Sequence, residues 1–132
     1  MSETWSEFKA CCTAGKLEPM RGAWAEDLAV THLESHGLEV LARNYRIRGG
    51  EIDIVMRDQN VIVFVEVKQR SSTAFGGVLE AVTAQKMNLL RRAALHYLVK
   101  ELYSDDLPCR FDLLLVHGDA QSNRLEWLQN AF

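Results

Sequence analysis

The sequence predicts an α/β domain: a mixed β-sheet with helices packed on it, in the order α-β-β-β-α-β-β. Three observations predict it. Between Gly49 and Arg70, two runs of β-branched and apolar residues flank Asp58, Gln59 and Asn60, which reads as two strands and a tight antiparallel turn. Residues 20–36 and 79–102 carry apolar residues at helical spacing. A short apolar run, Phe111 to Val116, is too brief for a helix and reads as a buried strand beside the hairpin.

The elements follow in chain order. Residues 1–19 form an N-terminal arm with little pattern beyond Trp5 and Phe8, and Pro19 ends it. Residues 20–132 make the single domain. Its first helix has an apolar side of Ala25, Leu28, Ala29, Val30 and Leu33, with Gly37 after it as a C-cap. His32 and His36 stand one helical turn apart, a metal-ligand spacing, but no third ligand is near in sequence. Leu38 to Ile47 reads as a first strand, and Gly49-Gly50 turns the chain into the hairpin. After the hairpin comes a polar, glycine-bearing loop from Gln69 to Gly77. The long helix has a core stripe of Met87, Leu90, Ala94 and Leu98. Ser104 to Pro108 breaks the chain, Arg110 to His117 is the buried strand, and Arg124 to Leu128 is a last short strand. Asp112 at the start of the buried strand is either a surface partner for Arg110, the favoured reading, or a group that supports the site from behind.

The hairpin carries the chemistry. Side chains alternate faces along a strand, so Glu51, Asp53 and Val55 share one face, and Ile62, Phe64, Glu66 and Lys68 share another. A two-residue loop at Gln59-Asn60 sets Asp58 opposite Val61 and therefore Asp53 opposite Glu66. Opposed residues have Cβ atoms about 4.5–5.5 Å apart, and like charges there repel. A three-residue loop would put the two acids on opposite faces. In the first register a divalent cation relieves the repulsion, and such a cation polarises phosphate and acidifies water. Lys68 then orients water or stabilises charge on a phosphate oxygen. The competing reading is an ordinary solvated hairpin face with Lys68 paired to a carboxylate, worth about 0–1 kcal/mol. Against it, Val61, Val63, Val65 and Val67 line one face of the second strand, while Ile62 and Phe64 occupy the other. A strand apolar on both faces lies inside a sheet, where acids are rarely buried unpaired. Glu26 sits at the edge of the first helix's buried stripe. It is either a first-turn carboxylate favoured by the helix dipole or a third acid facing the sheet.

Composition bounds the function. The chain has 132 residues, a net charge of −3 and no apolar run near the roughly 20 residues of a membrane span. The slight negative charge argues against a general nucleic-acid-coating protein, though Arg43, Arg46, Arg48, Lys68, Arg70, Lys86, Arg91 and Arg92 gather around the hairpin and the long helix. The first residues lack the basic start and apolar stretch of a secretory leader, and the three cysteines make no disulfide framework, so a cytoplasmic protein with reduced thiols is expected.

Gly50, Glu51, Ile52 and Asp53, then Phe64 to Arg70, Phe75-Gly76, Lys86, and Arg110 to Asp112 resemble the YraN family of small bacterial proteins. That family is similar to the Holliday-junction-resolvase branch of the PD-(D/E)xK nuclease superfamily. The resemblance implies a restriction-endonuclease-like fold. It implies that Asp53 and Glu66 hold Mg²⁺ or Mn²⁺ with the Val67 carbonyl, that Lys68 is the motif lysine, and that Glu26 is the first-helix acid. Gln85 or Lys86 stands where the following helix contacts phosphate. The residue before Asp53 is Ile52 rather than proline, and Ala25 precedes Glu26 where a glycine is expected.

Two expectations follow. One is a metal-dependent DNA endonuclease acting on branched or damaged DNA, with Glu26, Asp53, Glu66 and Lys68 catalytic and with Arg46, Arg70, Gln85, Lys86 and Arg91 on the nucleic acid. The other is a non-catalytic module on a nuclease fold that binds nucleic acid or protein. A weaker reading beside these two is a purely structural subunit that self-associates through an exposed strand edge; resolvases usually work as dimers, so a homodimer does not separate the nuclease from it.

Overall fold

A computed structural model describes residues 23–70, 83–104 and 106–132. The elements are α1 (Ala23–Glu34), β1 (Glu39–Ile47), β2 (Gly50–Asp58), β3 (Val61–Arg70), α2 (Ala84–Leu102), β4 (Cys109–Gly118) and β5 (Asn123–Leu128). This is the order read from the sequence, with most boundaries moved by one to three residues. The N-terminal arm, the loop after Arg70 as far as residue 82, Cys11 and Cys12 lie outside the described residues.

The five strands form one sheet in the order β1-β2-β3-β4-β5. Short turns make β1–β2, β2–β3 and β4–β5 antiparallel, whereas β3 and β4 are parallel. A parallel pair needs a crossover, and α2 lies within it. Gly118 opens the β4–β5 turn with φ +107°, and a Cβ there would stand 2.2 Å from the Ser122 carbonyl oxygen. Only glycine fits that position.

β3 is the centre. Ile62, Val63, Phe64, Val65 and Glu66 are all buried, because each face is covered by a helix. Below one face, Ala25, Ala29 and Leu33 of α1 pack on Ile54, Met56, Val63, Val65, Leu114 and Val116. Two alanines on that helix stripe let its backbone approach the sheet closely. On the other face, Leu90, Ala93, Ala94, Tyr97 and Leu98 of α2 pack on Tyr45, Ile52, Val55, Ile62 and Phe64. The Tyr97 ring meets Tyr45 and Phe64 edge-on, at centroid distances of 5.0 Å and 6.2 Å. Thr83 caps α2 by accepting from the Lys86 N–H at 3.1 Å.

Asp112 departs from the surface pairing expected of it. It is fully buried and accepts from Arg110 Nε at 3.1 Å, the Trp127 indole N–H at 2.9 Å and the Asn130 N–H at 2.8 Å. It ties β4 to β5 and to the C-terminal residues, so its role is structural. Among the described residues no third ligating side chain joins His32 and His36. The His36 ring bonds the His32 carbonyl at 2.9 Å, and both rings pack near Trp127.

Candidate functional site

The site forms where β2 and β3 part. The turn at Gln59-Asn60 sets Asp58 opposite Val61, and the ladder runs up to Ile54 opposite Val65. That register makes Asp53 and Glu66 the next pair, as the two-residue loop predicts. The backbone ladder ends one step before it. Instead, the Val67 N–H donates to Asp53 Oδ2 at 2.9 Å, so a carboxylate takes the place of a strand carbonyl.

Asp53 drops out of the other ladder as well. β1 pairs Arg43 with Ile54 and Tyr45 with Ile52, which leaves Asn44 and Asp53 between them. Asn44 has φ +53°, a left-handed conformation that asparagine tolerates better than most residues. One consequence is visible in the core. Ile52 and Val55, three residues apart, both pack under α2, so the strict alternation expected of β2 breaks at Asp53.

Glu66 is 3% exposed. Its Oε2 lies 3.4 Å from Lys68 Nζ and 3.4 Å from Lys86 Nζ. Its Oε1 is buried and has no hydrogen-bond partner. An unpaired buried carboxylate oxygen is costly and uncommon. Asp53 carries the strain of the pair: burial first and then the negative charge of Glu66 push its carboxyl from the ordinary 3.8 up to about 8, with Glu26 and Glu51 adding to the effect and the Val67 N–H opposing it.

Glu26, in the first turn of α1, is near enough to Asp53 to raise its pKa, yet its direct partner is a cation. Arg43 Nη2 stands 3.5 Å from Glu26 and 2.9 Å from Asp27. Burial raises the Glu26 pKa and Arg43 opposes that rise. Lys86, expected on phosphate, reaches Glu66 because the Thr83 cap fixes the first turn of α2. Arg46 pairs with Glu51 at 3.2 Å, across the β1–β2 turn. Gln85 and Arg91 are exposed on α2, and Arg70 ends β3 opposite His117 of β4. The geometry thus brings Asp53, Glu66, Val67, Lys68 and Lys86 together, keeps Glu26 alongside through Arg43, and leaves Arg70, Gln85 and Arg91 outside that contact network. Sequence reasoning misses Arg43 as a partner for Glu26. The only signal is a basic residue in the neighbouring strand.

Among the described residues, no group of three or more His, Cys, Asp and Glu side chains is arranged to hold a metal. A divalent ion here would rest on two carboxylates, a backbone carbonyl and water. That set suits Mg²⁺ or Mn²⁺ rather than zinc. The orphaned Glu66 Oε1 and the mutual repulsion of Glu66 and Asp53 both fit a cation between them. No helix among the described residues is long and apolar enough to cross a membrane.

Comparison with known proteins gives one consistent family. The profile of Uncharacterised protein family UPF0102 matches residues 25–116. A UPF0102 protein of Cupriavidus pinatubonensis is 50% identical over 113 residues, covering 85% of this chain and 84% of its own. One of Deinococcus radiodurans is 49% identical over 109 residues, covering 82% and 89%. One of Nitrosomonas europaea is 46% identical over 112 residues, covering 85% and 92%. The matched span includes most of α1, the hairpin, α2 and most of β4, and so every acid and lysine of the site.

Proposed function

Because the chain belongs to family UPF0102, whose description carries no activity, we propose from the site itself that the protein is a Mg²⁺- or Mn²⁺-dependent phosphodiesterase acting on DNA. One observation carries this reading. Two desolvated carboxylates meet where the hairpin ladder opens, one of them with an unpartnered buried oxygen, and two lysines stand against them. The resemblance to the resolvase branch of the nuclease superfamily supports the same assignment.

Asp53, Glu66 and the Val67 carbonyl would hold the ion, which supplies charge neutralisation at the phosphate and a more acidic water. The Val67 N–H fixes the Asp53 carboxylate so that its other oxygen is left for the ion. Lys68 and Lys86 hold the Glu66 carboxylate in place, and each ammonium can turn to a non-bridging phosphate oxygen. Water attacks phosphorus and gives up a proton to solvent, the bond to the leaving oxygen breaks, and that oxygen takes a proton from solvent. Glu26, with its raised pKa and its Arg43 tether, assists proton movement at the edge of the site. Arg70 and Arg91 extend the basic track along the DNA backbone, Gln85 adds a neutral hydrogen-bonding side chain beside it, and Arg46 stands over the nucleotide next to the reacting phosphate.

A second reading has its own support. Glu66 already has two ammonium partners, and Glu26 has Arg43, so much of the acidic charge is compensated within the chain. That arrangement suits a non-cleaving module that binds nucleic acid or a protein partner. Cleavage of labelled single strand, duplex, flap and four-way junction, with Mg²⁺, Mn²⁺ or EDTA, separates the two. Metal-dependent cutting that is lost in Asp53→Asn and Glu66→Gln supports the nuclease. Binding without cutting under every condition supports the module.

A further inference from the structure

Beside the acidic pair lies an open groove of about 430 Å³. Its lining includes Arg46, Ile47, Gly49, Glu51, Lys86 and Leu89. We infer that this groove holds one unpaired nucleobase, that of the nucleotide adjoining the phosphate at Asp53 and Glu66. The inference rests on the phosphodiesterase reading for its placement and extends it to the shape of the substrate, an unpaired nucleotide rather than continuous duplex.

Three features argue for it. The first is size: the volume lies in the range of about 300–1,000 Å³ typical of small-molecule sites. The second is chemistry. Ile47 and Leu89 offer apolar walls to a flat ring. Arg46 offers a planar guanidinium already braced by Glu51 at 3.2 Å, and unpaired bases stack on such planes. Glu51 adds a carboxylate, which accepts from an exocyclic amino group such as that of cytosine. The third is connection. Lys86 belongs both to the groove wall and to the acidic pair, with its ammonium 3.4 Å from Glu66. A ligand that fills the groove therefore places its phosphate side at Lys86, next to the candidate metal carboxylates. Gly49 bears on access: it has φ +85°, and open space surrounds the position its Cβ would take.

The test uses the full chain carrying Asp53→Asn, so that binding is read without cleavage. The probes are a matched duplex and the same duplex with one unpaired nucleotide bearing 2-aminopurine. The expected result is about tenfold tighter binding to the unpaired probe, with a change in 2-aminopurine emission. Adding Leu89→Trp, which fills the groove, removes that preference and leaves duplex affinity unchanged. Glu51→Gln, which changes no volume, weakens the preference for cytosine over thymine at the unpaired position. Equal binding of both probes, or a preference that survives both groove variants, overturns the inference. The nuclease reading fails separately: a wild-type chain that prefers the unpaired probe and never cuts it overturns cleavage and leaves the groove assignment standing.

Discussion

Asp53→Asn is expected to flatten the fall in this fold's stability with rising pH in the absence of metal. The folded chain holds the Asp53 carboxyl at about 8, against an ordinary 3.8, through burial and the Glu66 charge. Between those values the folded state keeps a proton that the unfolded chain releases. Stability therefore falls as pH rises through that window. Each tenfold change in the proton-binding constant corresponds to about 1.36 kcal/mol, so moving from about pH 5 to about pH 8 costs the wild type roughly 2–4 kcal/mol at this one group, the lower figure discounting for its partial exposure. Asparagine has nearly the same shape, and its carbonyl oxygen can still accept the Val67 N–H, but it does not ionise. The difference in stability between variant and wild type should therefore grow with pH. For a domain of this size it amounts to a lead of about 10 °C in Tm for the variant near pH 8. Thermal unfolding across that range in EDTA measures it directly. Saturating Mn²⁺ should restore the wild type near pH 8 and do nothing for the variant. Parallel pH profiles for the two proteins would refute the claim that Asp53 is desolvated against Glu66.

Other expectations follow from the same structure. Lys86→Met removes one of two cations on buried Glu66, so it should destabilise the fold by about 1–2 kcal/mol, read by urea unfolding, and Glu66→Gln in the same chain should recover most of the loss. Asp112→Ala strips partners from the Arg110 guanidinium, the Trp127 indole and the Asn130 N–H together, and should cost about 3–5 kcal/mol with a visible change in tryptophan fluorescence. Gly118→Ala drives a Cβ into the Ser122 carbonyl at a positive φ and should lower Tm by several degrees, while a change in the neighbouring exposed Gln121 to Ala leaves it unchanged. Lys68→Ala should lower the rate of cleavage far more than DNA affinity, and equal losses in both would contradict its role at the reacting phosphate.

The fold is legible where local rules decide it. Turn length between Asp58 and Val61 determines the hairpin register, and the alternation of Val61, Val63 and Val65 against Ile62 and Phe64 places β3 inside the sheet. The element order and the long crossover helix follow from periodicity. What escapes depends on contacts between segments far apart in the chain. Lys86 reaches Glu66 from the next helix, twenty residues downstream, only because Thr83 starts that helix where it does. Asp112 resembles a surface charge because its partners Trp127 and Asn130 come from beyond the β4–β5 turn. The break at Asp53 is hidden because a strand pattern does not reveal a left-handed Asn44 in the neighbouring strand. The candidate acids are therefore readable as a pair. Their desolvation, their cationic partners and the groove beside them require the assembled sheet.

The central claim is that Asp53 and Glu66 form one divalent-cation site. Mn²⁺ binding followed by electron paramagnetic resonance, on wild type and on folded Asp53→Asn and Glu66→Gln proteins, tests it most directly. The account predicts a protein-bound Mn²⁺ in the wild type that competes with Mg²⁺ and is lost in each variant. Mn²⁺ bound equally by all three proteins, or by none of them in the presence of DNA, would contradict it.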